Sequence, residues 1–219
     1  FLNDVVLRCD FGIDLHSAAI HRTNLPQVRI SPSDAVTRRM AASFAAPVVL
    51  TSPLRDGSLR AVAAAKGTPV LLYEAGEGLR FDEMAVRAGV AGILRVMHVE
   101  DMLPAKGIAP SRRQSHVCSS STWLRAPVGG LLRTFRAEGE TVKEGDALAT
   151  VSDPFGKTEE DITAPHDGIL IGRAILPVVN EGDAVFHLAK LLPKADADTV
   201  EDMITQLESD PLFDEDEII

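Results

Sequence analysis

Cysteine is nearly absent: Cys9 and Cys118 are the only two in 219 residues, far apart and in no metal-knuckle or redox spacing. This excludes a disulfide framework and predicts a reducing, cytoplasmic setting. Long apolar runs are missing as well, none approaching the ~20 residues of a membrane span. The N-terminus lacks the basic, apolar and small-residue layout of a signal peptide. Aromatic residues make up 5% of the chain, with one Trp and one Tyr. A basic excess is also missing. The net charge is -10, yet residues 195–219 hold ten carboxylates and no Lys or Arg, leaving 22 acids and 22 bases in the first 194. A neutral body gives no electrostatic footing for nucleic acid or an anionic membrane, and homo-oligomerisation is left open. An initiator Met is lacking too: the chain opens at Phe1, and we read it as the later part of a longer product.

What is present falls into four stretches. Over residues 1–105, short apolar runs bounded by Pro or Gly alternate with helical periodicities. "FGIDLHS", "APVVLTS" and "TPVLLYEAG" read as strands; "DAVTRRMAASFA", "GSLRAVAAAKG" and residues 81–103 read as helices. Asp34 and Ser58 stand at expected N-caps, and Gly67 at a helix stop. The alternation predicts an α/β layer architecture with a largely parallel sheet, and functional residues at strand carboxyl ends. Residues 106–121, rich in Pro, Gly, Ser and Arg, read as a linker. Residues 122–192 contain an internal repeat of about 38 residues: "APVGGLL" returns as "APHDGILIG", and "AEGETVKEGDAL" as "VNEGDAVFHL". Short strands and Gly turns at this spacing predict a small pseudo-symmetric all-β lobe. Residues 193–219 are an acidic tail with a short helix expected around residues 200–207.

The chemical signals lie in the first stretch. In "IDLHS", His16 ends an apolar strand two positions after Asp14, an arrangement in which a carboxylate can fix one imidazole nitrogen while the other faces a metal. The bland alternative is a hydrogen-bonded structural His. In "VLLYEAGEG", Glu74 follows four apolar residues and precedes a Gly-x-Gly turn, where partial desolvation would suit a general acid/base. Its alternative is a salt-bridged glutamate, with Arg80 the nearest cation in sequence. His21 lies five positions from His16, an odd spacing that puts it on the other face of a continuing strand. His98, His116, His166 and His187 read as structural or exposed.

In this order, with "TWLRAPVGG" and "NEGDAVFHLAK" behind them, these segments resemble the succinylglutamate desuccinylase/aspartoacylase family of zinc-dependent deacylases, related in fold to zinc carboxypeptidases. The resemblance runs from about residue 2 to residue 190. It implies a zinc-carboxypeptidase-like mixed sheet with flanking helices, followed by a β barrel-sandwich lobe like those of biotinyl and lipoyl carriers. It assigns His16 as a zinc ligand, Asp14 behind it, and Glu74 as the catalytic carboxylate. The implied cofactor is one zinc per chain. The family's first two ligands, a His-x-x-Glu pair, have no counterpart: no His and no Glu precedes His16. They are expected upstream, and the 219 residues alone are expected to be inactive. The implied reaction is hydrolysis of the amide of an N-acyl amino acid or similar small substrate. Arg22 and Arg60 are the expected carboxylate binders, and Asn24 a donor to a substrate oxygen, although Asn before Leu-Pro equally suits a turn. Two rivals remain: a carrier module modified on Lys157 in "DPFGKTEED", and a metallocarboxypeptidase acting on peptides.

Overall fold

The computed structural model describes residues 1–111, 114–191 and 205. The acidic tail and its expected helix lie outside the described residues, apart from Thr205. After a short 3-10 turn at Val6–Arg8 come β1 (Gly12–Ala18), β2 (Arg22–Ile30), α1 (Ala35–Phe44), β3 (Val48–Thr51), α2 (Leu59–Ala65), β4 (Val70–Glu77) and α3 (Glu83–Val99). The caps follow from the sequence. The Asp34 carboxylate accepts from the backbone N–H groups of Val36 and Thr37, Ser58 from Ala61, and Asp82 from Ala85, each satisfying a first-turn donor that has no intrahelical partner. Among the described residues no helix is long and apolar enough to cross a membrane.

The largely parallel sheet predicted above is mixed. β1 and β4 are parallel, as are β2 and β3, but β2 runs antiparallel to β4. The reason is β2, which the apolar-run pattern does not single out. Its sequence, RTNLPQVRI, is polar at alternate positions and broken by Pro26. Proline has no N–H for a ladder, so inside a sheet it sits at bulges or partner changes. Pro26 sits at both. The register against β4 shifts between Asn24 and Gln27. On the other side, β2 pairs with β3 only from Gln27 onward.

Within the stretch expected as a linker, His116–Cys118 form β5, which pairs parallel to β3. Cys118 is fully buried, and burial pushes its thiol up to about 11, whereas Cys9 is exposed. The repeat then gives β6 (Ser121–Arg125), β7 (Gly130–Thr134), β8 (Thr141–Val142) and β9 (Ala147–Ser152), followed by β10 (Glu159–Thr163), β11 (Gly168–Ala174), β12 (Val178–Val179) and β13 (Ala184–Lys190). The two sets correspond strand for strand. One set of pairings runs β6-β13-β11-β8, the other β10-β9-β7-β12, so each sheet takes strands from both halves. Leu132, Leu148, Val151, Ile162, Leu170, Phe186 and Leu188, drawn from both sheets, pack into one buried cluster.

The symmetry is broken at one place. Gly172, Arg173 and Ala174 of β11 pair antiparallel with Asn24, Thr23 and Arg22 of β2, so the sheet of the first hundred residues runs on into the β repeat. Leu25, Val48, Leu50, Cys118, Ile169, Ile171 and Ala189 fill the seam, all fully or nearly fully buried. At ~1.5–3 kcal/mol for each large apolar side chain removed from water, this seam is a structural core in its own right. Gln27, fully buried, donates through Nε2 to the Ile171 carbonyl at 3.2 Å and ties the same joint.

Candidate functional site

In the parallel β1–β4 pair, His16 lies directly opposite Glu74, so both side chains rise from one face near the carboxyl ends of their strands. Asp14, two positions earlier, shares that face, and its Oδ2 is 3.1 Å from His16 Nε2. The carboxylate therefore holds Nε2, and Nδ1 is the nitrogen left for a metal.

Glu74 is held at both oxygens. Asn24 Nδ2 donates to Oε1 at 3.0 Å, and Arg29 Nη2 pairs with Oε2 at 2.7 Å. The bulge in β2 makes this possible. Leu25 and Pro26 together oppose Ala75, because Asn24 faces Gly76 and Gln27 faces Glu74. Without the extra residue, Asn24 and Gln27 would point to opposite faces, since three positions separate them. With it, Arg22, Asn24, Gln27 and Arg29 all share the face of Glu74. Asn24 is thus a strand residue bonded to Glu74 and not a turn residue. Arg80, the cation nearest in sequence, pairs instead with Glu77, whose Oε1 also accepts from the His21 backbone N–H. His21 has φ 64°, in the turn between β1 and β2.

Arg60, on α2, donates to the Arg29 carbonyl at 3.3 Å. Burial and the neighbouring Arg29 guanidinium lower its pKa, while Asp14 and Glu74 pull the other way, which places Arg60 within electrostatic reach of both carboxylates. Arg22 lies with its guanidinium 5.1 Å over the ring of Trp123. Trp123 stacks in turn on His187, ring centroids 4.2 Å apart and planes within 10°. Paired residues carry this face across the sheet, from Asn24 to Gly172, His187 and Trp123. His187 is buried and its Nε2 meets Ser121 Oγ at 2.8 Å. Burial first, and then the Arg29 charge, push its pKa down to about 3, so the ring is neutral. Sequence reasoning missed Arg29, Trp123 and this role of His187. The usable signal for Arg29 was its place in the polar alternation of β2 beyond Pro26.

Four polar atoms around this face have no hydrogen-bond partner: Asn24 Oδ1, Gln27 Oε1, Arg29 Nε and His187 Nδ1. No cluster of three His, Cys, Asp or Glu side chains that could hold a metal occurs among the described residues. His98, with Nδ1 3.0 Å from the Leu103 carbonyl, His116 in β5, and the exposed His166 lie elsewhere. Lys157 is at the tip of the β9–β10 hairpin, its Nζ 5.9 Å from the Phe155 ring. The Asp153 carboxylate, accepting from backbone N–H groups of that tip, is held below the usual carboxylate range.

The fold, a mixed α/β sheet that runs on into a β repeat, is shared with several solved structures. Residues 1–99 match the family model described as succinylglutamate desuccinylase/aspartoacylase catalytic domain. Similar structures include a succinylglutamate desuccinylase/aspartoacylase from Rhodobacter sphaeroides, at 22% identity and TM-score 0.76, covering 88% of this chain and 62% of that one. A succinylglutamate desuccinylase from Silicibacter sp. TM1040 gives 20% identity, TM-score 0.76, and coverage of 88% and 61%. The product-bound ectoine utilization protein EutE (DoeB) from Ruegeria pomeroyi gives 20%, 0.74, and 86% and 60%. Comparison with curated proteins gives no match. Residues 1–99 are thus similar to the catalytic domain of the succinylglutamate desuccinylase/aspartoacylase family, in line with the sequence resemblance, and the chain shares its fold with the solved structures. It spans about three fifths of the length of these solved structures.

Proposed function

We propose that the chain is the part of a cytoplasmic zinc-dependent deacylase that supplies the general base and substrate-binding groups for hydrolysing the amide of an N-acyl amino acid or similar small substrate. The β repeat is read as the appended barrel-sandwich lobe. The observation that carries the proposal is the placement of Glu74: directly opposite His16 on the neighbouring strand, with its carboxylate fixed between Asn24 and Arg29.

The described residues do not fit a complete zinc site. They offer one imidazole with a free Nδ1 and the Asp14 carboxylate bound to its other nitrogen, whereas a hydrolytic zinc site takes three protein ligands and an open position. We assign His16 as one donor and expect the others from residues outside these 219. β1, which among the described residues pairs only with β4, is the edge beside which they would sit. The chemistry of this chain's own groups follows from their geometry. Glu74 takes a proton from the attacking water and returns it to the departing amine. Asn24 and Arg29 fix both of its oxygens, so it is aimed before substrate arrives. Arg60, close to both carboxylates, and Arg22 bind substrate anions.

The test uses the longer gene product. It is expected to hold about one zinc per chain. His16→Ala should remove the metal, and Glu74→Gln should keep the metal and lose turnover by at least about 100-fold. Normal activity in Glu74→Gln would overturn the general-base assignment.

A further inference from the structure

We propose that His187 is a positioning residue for Glu74: its Nδ1, through one buried water held over Gly172, fixes the Asn24 and Arg29 side chains that hold the two Glu74 oxygens. The proposal rests on the reading of Glu74 as the general base, and it adds what the β repeat contributes to that carboxylate.

The four buried atoms without a hydrogen-bond partner, Asn24 Oδ1, Gln27 Oε1, Arg29 Nε and His187 Nδ1, belong to residues gathered about Gly172. Asn24 and His187 are its register partners on either side, in β2 and β13. Asn24 Oδ1 lies where a Gly172 Cβ would stand. Gln27 reaches the carbonyl of the preceding residue, Ile171, and the Arg29 charge acts on the His187 ring. Buried polar groups are ordinarily satisfied by protein or by internal water.

What each atom offers follows from where the rest of its side chain is committed. Asn24 Nδ2 donates to Glu74 and Gln27 Nε2 to Ile171, so Asn24 Oδ1 and Gln27 Oε1 are acceptors. Arg29 Nη2 is on Glu74, and its Nε is a donor. His187 is decided by Ser121, whose Oγ meets Nε2. When Ser121 donates to Nε2, the proton of the neutral ring sits on Nδ1. The set is then two acceptors and two donors, the full complement of one water molecule. With the other tautomer, three acceptors would compete for two water hydrogens. The Arg29 guanidinium disfavours a cation at this place, and the two amide oxygens disfavour an anion. Trp123, stacked on the ring, sets the plane of His187 and with it the direction of Nδ1. Ser121, His187, the water, Asn24 with Arg29, and Glu74 thus form one hydrogen-bonded series from the β repeat to the general base.

The 219-residue chain gives the first reading without turnover. Long-range nitrogen–proton NMR of the imidazoles, with His187 assigned by its contacts to Trp123, the only tryptophan, is expected to show a protonated Nδ1 and a bare Nε2. An Overhauser contact should join the Nδ1 proton to a retained water. The longer gene product gives the second reading. An asparagine amide comes near the place of Nδ1, and a glutamine amide near that of Nε2. His187→Asn should therefore keep kcat within about 3-fold of the wild type and His187→Gln should lose about 10-fold or more, with KM held in both. A merely structural role would lower the two alike, in step with their melting temperatures. An Nε2-protonated ring, an Nδ1 proton without contact to water, or equal kcat in the two variants would each overturn the proposal. Where a variant fails to fold, the tautomer and the water contact of the wild type decide. Failure of the deacylase reading shows separately, as retained turnover in Glu74→Gln of the longer protein, and leaves the NMR result standing.

Discussion

At the scale of single residues, the difference between Glu74 and Glu77 is instructive. They lie three positions apart in β4, yet Glu77 takes the sequence-near Arg80 while Glu74 takes Arg29, a residue from another strand. A local salt bridge leaves the second carboxylate to be shaped by the sheet. His187 carries a testable consequence of its burial. Its folded pKa of about 3 lies below the ordinary 6.5 of the unfolded chain, so below 6.5 the unfolded state binds the proton first. Its contribution to stability is full above that value and is lost as pH falls from 6.5 toward 3, by an amount on the order of a few kcal/mol. Thermal melts between pH 7 and pH 4 should show Tm falling in the wild type and falling less in His187→Gln. Parallel profiles for the two would show that the ring is not neutral by burial.

At the scale of elements, β2 decides the site. Strands β1, β3 and β4 were legible because each is a short apolar run between breakers, α1 and α2 because their caps are written as Asp34 and Ser58, and α3 by its helical periodicity. His16, Asp14 and Glu74 were legible on the same grounds, as polar residues closing apolar strands. β2 was not. Its polar alternation slips by one position across Pro26, and a pattern that changes phase midway reads as no pattern. Arg29 went unseen for that reason, since only the bulge returns it to the face of Glu74. The expected linker hid β5 because a strand of three residues carries too little periodicity to register. Gly172 tests the joint: a Cβ there would run into Asn24 Oδ1 and lie 3.1 Å from the Thr23 carbonyl oxygen. Gly172→Ala must push Asn24 off its place or part β2 from β11, at a cost of about 1–3 kcal/mol. A Tm lower by several degrees is the expected outcome, and an unchanged Tm would mean that the two strands are not held at this spacing.

At the scale of the whole molecule, the shared sheet makes the two halves one structure. β2 gives half of one edge to β3 and half to β11, and the seam between them is filled from both sides. Unfolding of one half would strip the other of a strand partner and expose that seam. Melting followed at Trp123, in the β repeat, should therefore coincide with melting followed by helical circular dichroism, to which α1, α2 and α3, all before the repeat, contribute. Two separated transitions would show that the joint is too weak to couple them.

The two cysteines give the molecule a practical property. Cys118 is sealed in the seam with its thiol pushed up to about 11, while Cys9 is exposed just ahead of β1. A thiol-directed dye under native conditions therefore reacts at Cys9 and spares Cys118, because the thiolate is the reacting species and must also be reached. With Trp123 as the single intrinsic donor, an acceptor on Cys9 turns the unmutated chain into a distance gauge. It spans from the entry of the strand that bears His16 to the aromatic platform beneath Arg22.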